Sequence, residues 1–296
     1  MISLREYLAS GKPLIADGAT GTMLMAAGLP PEISPEVWNV EQPEKILALH
    51  RAYIDAGSQI FLTNTFGGTH LKLARRNQAT RVRELNLAAA ALAIQAAAGK
   101  AYVAGDIGPT GEMMKPYGPL AYEQAVEAFA EQAAALVEGG VDGLWIETMA
   151  DLNEAKAAVS AAVQAARDAG KPDLPVFCSL SFGKKARTMV GVSARQAAQE
   201  LWPLGLAAIG ANCGEGLEMI PEVLRQMHEA VPSACLIAKP NAGLPRLEGG
   251  ETVYDVSPGD FAGYVGKFIA QGAQVVGSCC GSEPEYIRAI ARQIGE

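Results

Sequence analysis

Along the chain, short runs of apolar and β-branched residues alternate with longer alanine-rich stretches whose apolar positions recur at helical spacing, and the alternation repeats about eight times. The short runs at 13–16, 59–63, 101–105, 143–147, 175–181, 207–212, 235–239 and 274–277 read as strands. The stretches at 43–56, 81–98, 122–138, 152–169, 194–201, 218–230, 260–271 and 283–294 read as helices. Gly57, Gly99, Gly139, Gly170 and Gly272 follow five of them and predict left-handed helix ends. Leu144-Trp145-Ile146 and Phe61-Leu62 place apolar side chains on both faces of their strands, which calls for a parallel sheet covered on each side. Eight such units predict an α/β fold, a single (β/α)8 TIM barrel over residues 1–296, with an open doubly wound sheet as the alternative. The long irregular segments, 27–42, 106–121 and 239–259, follow strands, where barrels carry their chemistry.

In that register the carboxyl ends of the strands carry Asp17-Gly18, Thr63-Asn64-Thr65, Asp106, Glu147, Ser181, Asn212-Cys213, Asn241 and Cys279-Cys280. A barrel directs these positions to one mouth, so three of the chain's five cysteines meet there. Three thiolates suit a catalytic zinc, which takes three protein ligands and leaves the fourth position to water or substrate. Spacing alone also allows a vicinal redox pair or small buried hydrophobes. Gly277 and Gly281 favour the metal, because they free the backbone to aim two adjacent side chains at one point. Cys178 and Cys235 lie inside strands and read as core filler. The chain has only three histidines, and His50 and His70 read as helix residues rather than ligands. The glycines of Asp17-Gly18-Ala19-Thr20-Gly21-Thr22 form either an ordinary loop or an anion grip of backbone N–H groups. Asp106 reads as a turn cap. Glu147, a carboxylate at a barrel mouth, needs a cation or donors and so reads as an ammonium receptor. Trp38 and Tyr117 either line the mouth or pack beneath their own loops.

Apolar residues make up 49% of the chain and charged residues 19%, enough to fill a large core and too apolar for disorder. The net charge of −8, with no basic run, excludes nucleic acid as an expected partner. The N-terminus lacks the apolar core of a secretory signal, and the most apolar helical stretch, 87–98, is too short to span a bilayer. With an odd number of cysteines, the expectation is a soluble, cytoplasmic protein with reduced thiols and no membrane association.

The residues already singled out resemble the homocysteine S-methyltransferase family, over nearly the whole chain. The markers are Asp17-Gly18-Ala19-Thr20-Gly21-Thr22, Thr63-Asn64-Thr65-Phe66-Gly67, Gly105-Asp106-Ile107-Gly108-Pro109-Thr110-Gly111 and Glu147-Thr148 in the first half. Asn212-Cys213, Pro240-Asn241-Ala242-Gly243 and Gly277-Ser278-Cys279-Cys280-Gly281 follow in the second. Among family members, the homocysteine-binding module of cobalamin-dependent methionine synthase is the most similar, with betaine–homocysteine methyltransferase a further relative. The resemblance implies a (β/α)8 barrel that binds Zn2+ through Cys213, Cys279 and Cys280 and methylates the thiolate of homocysteine to give methionine. It implies that Glu147 takes the substrate's amino group and that Asp17, Gly18, Ala19 and Thr20 hold its carboxylate, the latter through backbone N–H groups. Asn212 and Asn241 become supporting or substrate-contacting residues. Ser278 stands where the family more often has glycine, a small-for-small change expected to leave metal binding intact. The chain ends 16 residues past Cys280, short of the extension through which the betaine enzyme oligomerises, which argues against betaine as donor. It has no Asp-x-His-x-x-Gly cobalamin signature, so methylcobalamin would have to arrive on a separate corrinoid protein, the alternative being a sulfonium donor. Competing expectations are a thiol-activating or docking subunit of a multi-component corrinoid system, and a family variant with a different thiol or donor. A phosphate-binding isomerase barrel would need a phosphate grip after the last two strands, where this chain has two cysteines.

Overall fold

A computed structural model describes residues 1–248 and 251–295. Seven strands alternate with helices: β1 (Leu14–Ile15), β2 (Ile60–Leu62), β3 (Tyr102–Ile107), β4 (Gly143–Met149), β5 (Val176–Leu180), β6 (Ala208–Cys213) and β7 (Leu236–Pro240). A two-stranded hairpin, β8 (Arg246–Glu248) and β9 (Glu251–Val253), interrupts the pattern before β10 (Ala273–Val276). All but the hairpin join one parallel sheet in the order β1-β10-β7-β6-β5-β4-β3-β2. At the seam between β1 and β2, Gln59 N–H donates to the Ile15 carbonyl at 2.8 Å, and the Gln59 side-chain oxygen accepts the Ile15 N–H at 3.0 Å. The Asp17 carboxylate accepts the Leu62 N–H at 2.8 Å. The barrel therefore closes there largely through side chains.

Alternation along the strands divides the core in two. Leu14, Ile60, Leu62, Trp145, Phe177, Ile237 and Val275 fill the barrel, with Trp145 and Phe177 stacked 5.0 Å apart. Ile15, Phe61, Val103, Ile146, Cys178 and Val276 point outward to the helices. Cys178 is thus buried filler, as expected. The helices Pro43–Ala56, Tyr122–Glu138 and Ala194–Leu201 fall at the predicted bounds, and the other main helices and barrel strands within two residues of them.

Several expectations need correction. Gly139 is right-handed, with φ −65°, and Gly140 makes the reversal at φ 86°. The segment 27–42 holds a short helix, Trp38–Glu41, and 239–259 holds the hairpin. Trp38 is buried, with Lys45 Nζ 4.2 Å from its ring centre, while Tyr117 is 76% exposed; neither lines the mouth. The unpredicted helix Leu4–Ala9 packs against the barrel interior through Leu4, Tyr7 and Leu8, and starts at a Ser3/Glu6 capping box that was readable from sequence.

His50 packs against Phe61 with ring centres 4.9 Å apart, and its Nε2 is buried without a hydrogen bond. Burial pushes the imidazole down to about 3, so it is neutral in the fold. Because the unfolded chain binds this proton near 6.5 and the folded chain does not, stability falls as pH drops from that value toward 3. His50→Leu is expected to flatten the slope of unfolding free energy against pH by about 1.4 kcal/mol per pH unit between pH 6 and 4, read by urea melts.

Candidate active site

β6 ends at Cys213 and β10 is followed by Cys279-Cys280, with β7 lying between those strands in the sheet. Cys213 pairs with Pro240 of β7, and Cys279 N–H donates to the Pro240 carbonyl at 2.8 Å, so one residue of β7 sets the height of both cysteine-bearing segments. The Cys213 and Cys279 sulfurs are 2.9 Å apart and those of Cys213 and Cys280 3.8 Å, and all three lie within 4.8 Å of one another. Three sulfurs at about 2.3 Å from a tetrahedral zinc stand about 3.8 Å apart, so this cluster is of a size to hold one.

The donor set fits a divalent cation on charge as well. Left to share protons, the trio polarises: bonds from Cys213 and Cys279 pull Cys280 down to about 3. Cys213, in contact with both neighbours, is driven far up; the bond with Cys213 lowers Cys279, but Cys280 and burial outweigh it and raise Cys279 to about 11. Three adjacent sulfurs cannot all ionise without a positive charge among them.

The backbone is bent to achieve this. Cys213 has φ 54° and Thr148, after Glu147 on β4, has φ 61°, an unusual conformation for a β-branched residue. Asn212 holds both: its Oδ1 accepts the Thr148 N–H at 2.8 Å, and its Nδ2 donates to Thr148 Oγ1 at 2.6 Å and faces Cys279 Sγ at 3.8 Å. Ser179 donates to the same Oδ1 at 2.8 Å. Fully buried and saturated, Asn212 supports the sulfurs rather than contacting a ligand. Asn212→Ala is expected to weaken metal affinity about 10- to 100-fold, measured by competition with a chromophoric chelator, as loss of an outer hydrogen bond does elsewhere. Asn241 is only half engaged: its Nδ2 donates to the Gly214 carbonyl at 3.2 Å, while its Oδ1 is buried without a hydrogen bond.

Of the two flanking glycines, Gly281 is left-handed at φ 77°, and a Cβ there would meet the Tyr254 ring at 2.1 Å. Gly277 instead serves close approach, since a Cβ would lie 2.8 Å from the Asp17 carbonyl oxygen. The loop after β10 is tied to the loop after β1. Ser278 N–H donates to the Asp17 carbonyl, Gly281 N–H to Thr22 Oγ1, and Ala19 N–H to Ser282 Oγ. Ser278 is buried and donates to Ser282 Oγ at 2.8 Å, a use for its hydroxyl that glycine could not supply.

Beneath the sulfurs sits a buried charge cluster that sequence reading caught only in part. Lys239 of β7 is 2% exposed, with Nζ 2.7 Å from Asp17 Oδ1, 3.9 Å from Glu147 Oε2 and 5.1 Å from the Trp145 ring centre. Burial works against its charge, but Asp17 and Glu147 overcome this and hold the ammonium above its usual range. A lysine inside an apolar strand, Leu236-Ile237-Ala238-Lys239, was the available signal. Asp17 spends both carboxylate oxygens, on Lys239 and on Leu62 N–H, so it organises the site from behind. Glu147 Oε2 and Asp106 Oδ1 are buried without a hydrogen-bond donor. Burial pushes Glu147 up to about 8 against the pull of Lys239; burial and the Glu147 charge push Asp106 well above the carboxylate range. Asp106 is therefore no turn cap. Glu147 and Asp106, each with an oxygen that has no hydrogen bond, line the cleft that the three cysteines line, and Gly18, Ala19 and Thr20 line it too. The Ala19 amide is already taken by Ser282, which leaves Thr20 and Gly21, in the first turn of the helix Thr20–Ala26, with amides a helix start does not use internally.

The family model for homocysteine S-methyltransferases matches residues 14–294. The chain belongs to the homocysteine S-methyltransferase family. Methionine synthase of Mycobacterium tuberculosis (strain ATCC 25618 / H37Rv) is 33% identical over 96% of this chain, and that of Mycobacterium leprae (strain TN) 32% identical over 98%. The chain spans about a quarter of the length of these two relatives, 25% of each. The homocysteine methyltransferase MmuM from Escherichia coli in its metallated form superposes with a TM-score of 0.81 at 25% identity, over 98% of this chain and 99% of that one. Its oxidized form gives 0.77 at the same identity. The TIM-barrel expectation holds, as does the family resemblance read from the motifs, and with them membership of a family of methyltransferases. No helix among the described residues is long and apolar enough to cross a membrane.

Proposed function

We propose that the protein methylates the thiol of homocysteine at a zinc held by Cys213, Cys279 and Cys280, giving methionine, as a single catalytic barrel. The observation that carries this reading is the meeting of three sulfurs from two strands in one cleft with two buried carboxyl groups that each keep an oxygen without a hydrogen bond. An amino acid that ends in a thiol offers a partner for each. That MmuM has a metallated form supports a metal in this fold.

A free thiol near pKa 8.5 is only a few per cent ionised at neutral pH; zinc bound at the cysteines would supply a Lewis acid that favours the substrate's thiolate. The chain's own residues do the rest. Glu147, with Asp106 beside it, receives the substrate's ammonium group, whose arrival supplies donors to oxygens that have no hydrogen bond and a second cation beside Lys239. Thr20 and Gly21 offer amides to its carboxylate, with Gly18 and Ala19 shaping the wall and Asp17 fixing the loop. Asn212 and Asn241 keep the loops after β4, β6 and β10 in place. So oriented, the sulfur faces the cleft, where a methyl group about 3–3.5 Å away can be displaced in line onto it. The donor is a small sulfonium or a methylcobalamin delivered by a separate corrinoid protein; the relatives' much longer chains favour delivery by another module. Five free thiols suit a reducing cytoplasm.

Metal analysis of the purified chain, with methylation assays using S-methylmethionine, betaine and methylcobalamin, tests the reading. One zinc per chain and methionine formation support it; a metal-free chain that is fully active overturns it. Glu147→Gln is expected to raise the KM for homocysteine about 10- to 100-fold, the worth of a charge-assisted hydrogen bond, with a smaller effect on kcat. An unchanged KM removes Glu147 from the ammonium role.

A further inference from the structure

We propose that Lys72, Arg75 and Arg76 form an anion subsite in the outer part of the same cleft, which holds a phosphate or carboxylate group of the methyl donor. The proposal rests on the reading of this cleft as the methyl-transfer site and adds what its far end recognises. The cleft encloses about 900 Å³. Homocysteine has about eight non-hydrogen atoms, and at no more than the ~30 Å³ that a water occupies in the liquid, each, it fills about a quarter of that volume. The remainder leaves room for part of a second substrate.

Lys72 lies on the helix His70–Ala74, and Arg75 and Arg76 follow the helix end, three and four residues after Lys72. Two of them converge. A Cβ built on Gly111 would stand 3.2 Å from Lys72 Nζ and 3.2 Å from the Arg75 guanidinium carbon, so both groups address one point. Arg75 donates to the Gly111 carbonyl and to Glu112 at 2.8 Å, and Arg76 to the Pro31 carbonyl at 2.9 Å. Those bonds fix the two guanidinium groups between three loops and neutralise only one of them. The Lys72 ammonium has no hydrogen bond or ion pair among the described residues. The nearby carboxylates are otherwise engaged: Glu36 accepts from Gly67 N–H and Ser34, and Glu154 from the amide and hydroxyl of Thr110. Of the three carboxylates around these cations, only Glu112 pairs with one of them, so the Lys72 ammonium and the Arg76 guanidinium, which meets only a carbonyl, keep hydrogen-bonding capacity for an incoming anion in this partly enclosed cleft. Pro30, Pro31 and Ile33, next to Arg76, add an apolar wall, so the fitting ligand joins an apolar body to an anionic group.

The test uses the zinc-loaded full chain. Isothermal titration at low ionic strength with sodium tripolyphosphate should show binding that Lys72→Glu and Arg76→Glu each weaken at least tenfold, with homocysteine binding by the same method within twofold of the parent. Absence of tripolyphosphate binding, or an affinity unmoved by both substitutions, overturns the subsite. Donor kinetics then distinguish the source of the anion. If Lys72→Glu raises the KM for S-methylmethionine about tenfold, the group held is its carboxylate; if it raises that for methylcobalamin, the group is its phosphodiester. Methyl transfer with neither donor's KM moved by Lys72→Glu overturns the assignment to the donor. Tripolyphosphate held at Lys72 with no homocysteine binding and no methyl transfer instead defeats the functional reading while the subsite stands.

Discussion

Cys279→Ser leaves the barrel folded and stops methyl transfer. The main-chain bonds that place this residue, from its N–H to Pro240 and from Ser282 to its carbonyl, do not involve the sulfur, so the loop keeps its path. What is lost is one of three thiolates. A hydroxyl does not ionise in its place, and a two-thiolate site holds zinc far less well. If the metal supplies several kcal/mol to thiolate formation and orientation, turnover falls by about three orders of magnitude or more. Zinc content, circular dichroism and methionine production on the same sample decide it: low metal, an unchanged spectrum and no product are expected. Full activity would falsify the assignment of Cys279 as a ligand.

Lys239→Met gives the largest loss of stability expected from a single change in the barrel interior. Methionine matches the aliphatic stem but leaves Asp17 Oδ1 buried without its cation and Glu147 without its positive neighbour. Removing one partner of a buried pair costs about 3–5 kcal/mol, or a melting temperature lower by on the order of 10 °C for a chain of this size. The deficit should depend on pH. Burial already raises Asp17 with Lys239 present, and without that cation it rises further, so over a wider pH range the folded variant takes up a proton that the unfolded chain does not. Folding is then weakest at high pH, and the gap to the parent narrows as pH falls from 8 to 5. Thermal melts across that range, with Asp17→Asn in the Lys239→Met background as partial rescue, measure both. A variant as stable as its parent at pH 8 shows that the charge cluster does not hold the barrel.

The fold was legible because its signals are local and repeated. Strands such as Gly143–Met149 are apolar on both faces, the alanine-rich helices have helical periodicity, and eight repetitions leave few architectures. The cysteine cluster was legible because the barrel rule converts a position at a strand's end into a place in space. What the rule does not convey is which way a polar group turns once there. Asp17 and Asn212 stand at the predicted level, yet hydrogen bonds to Lys239 and Thr148 turn them into the framework. Lys239 went unnoticed because periodicity treats one lysine at the end of an apolar run as the strand's boundary, whereas burial shows it neutralised from two sides. The hairpin β8–β9 and the short helices have too few residues for periodicity to register.

The seam between the first two strands has one further consequence. Asp17 grips the Leu62 amide with one oxygen and the lysine with the other, so the zipper that shuts the cylinder and the charge that tunes its floor share a single side chain. The deuterium uptake of that one peptide proton is therefore a gauge of the catalytic floor: anything that pulls Asp17 toward a new cation slackens the stave beside it. Selection for altered chemistry has little freedom at this residue, and new specificities should arise by remodelling the rim, where a changed side chain does not loosen the hoop.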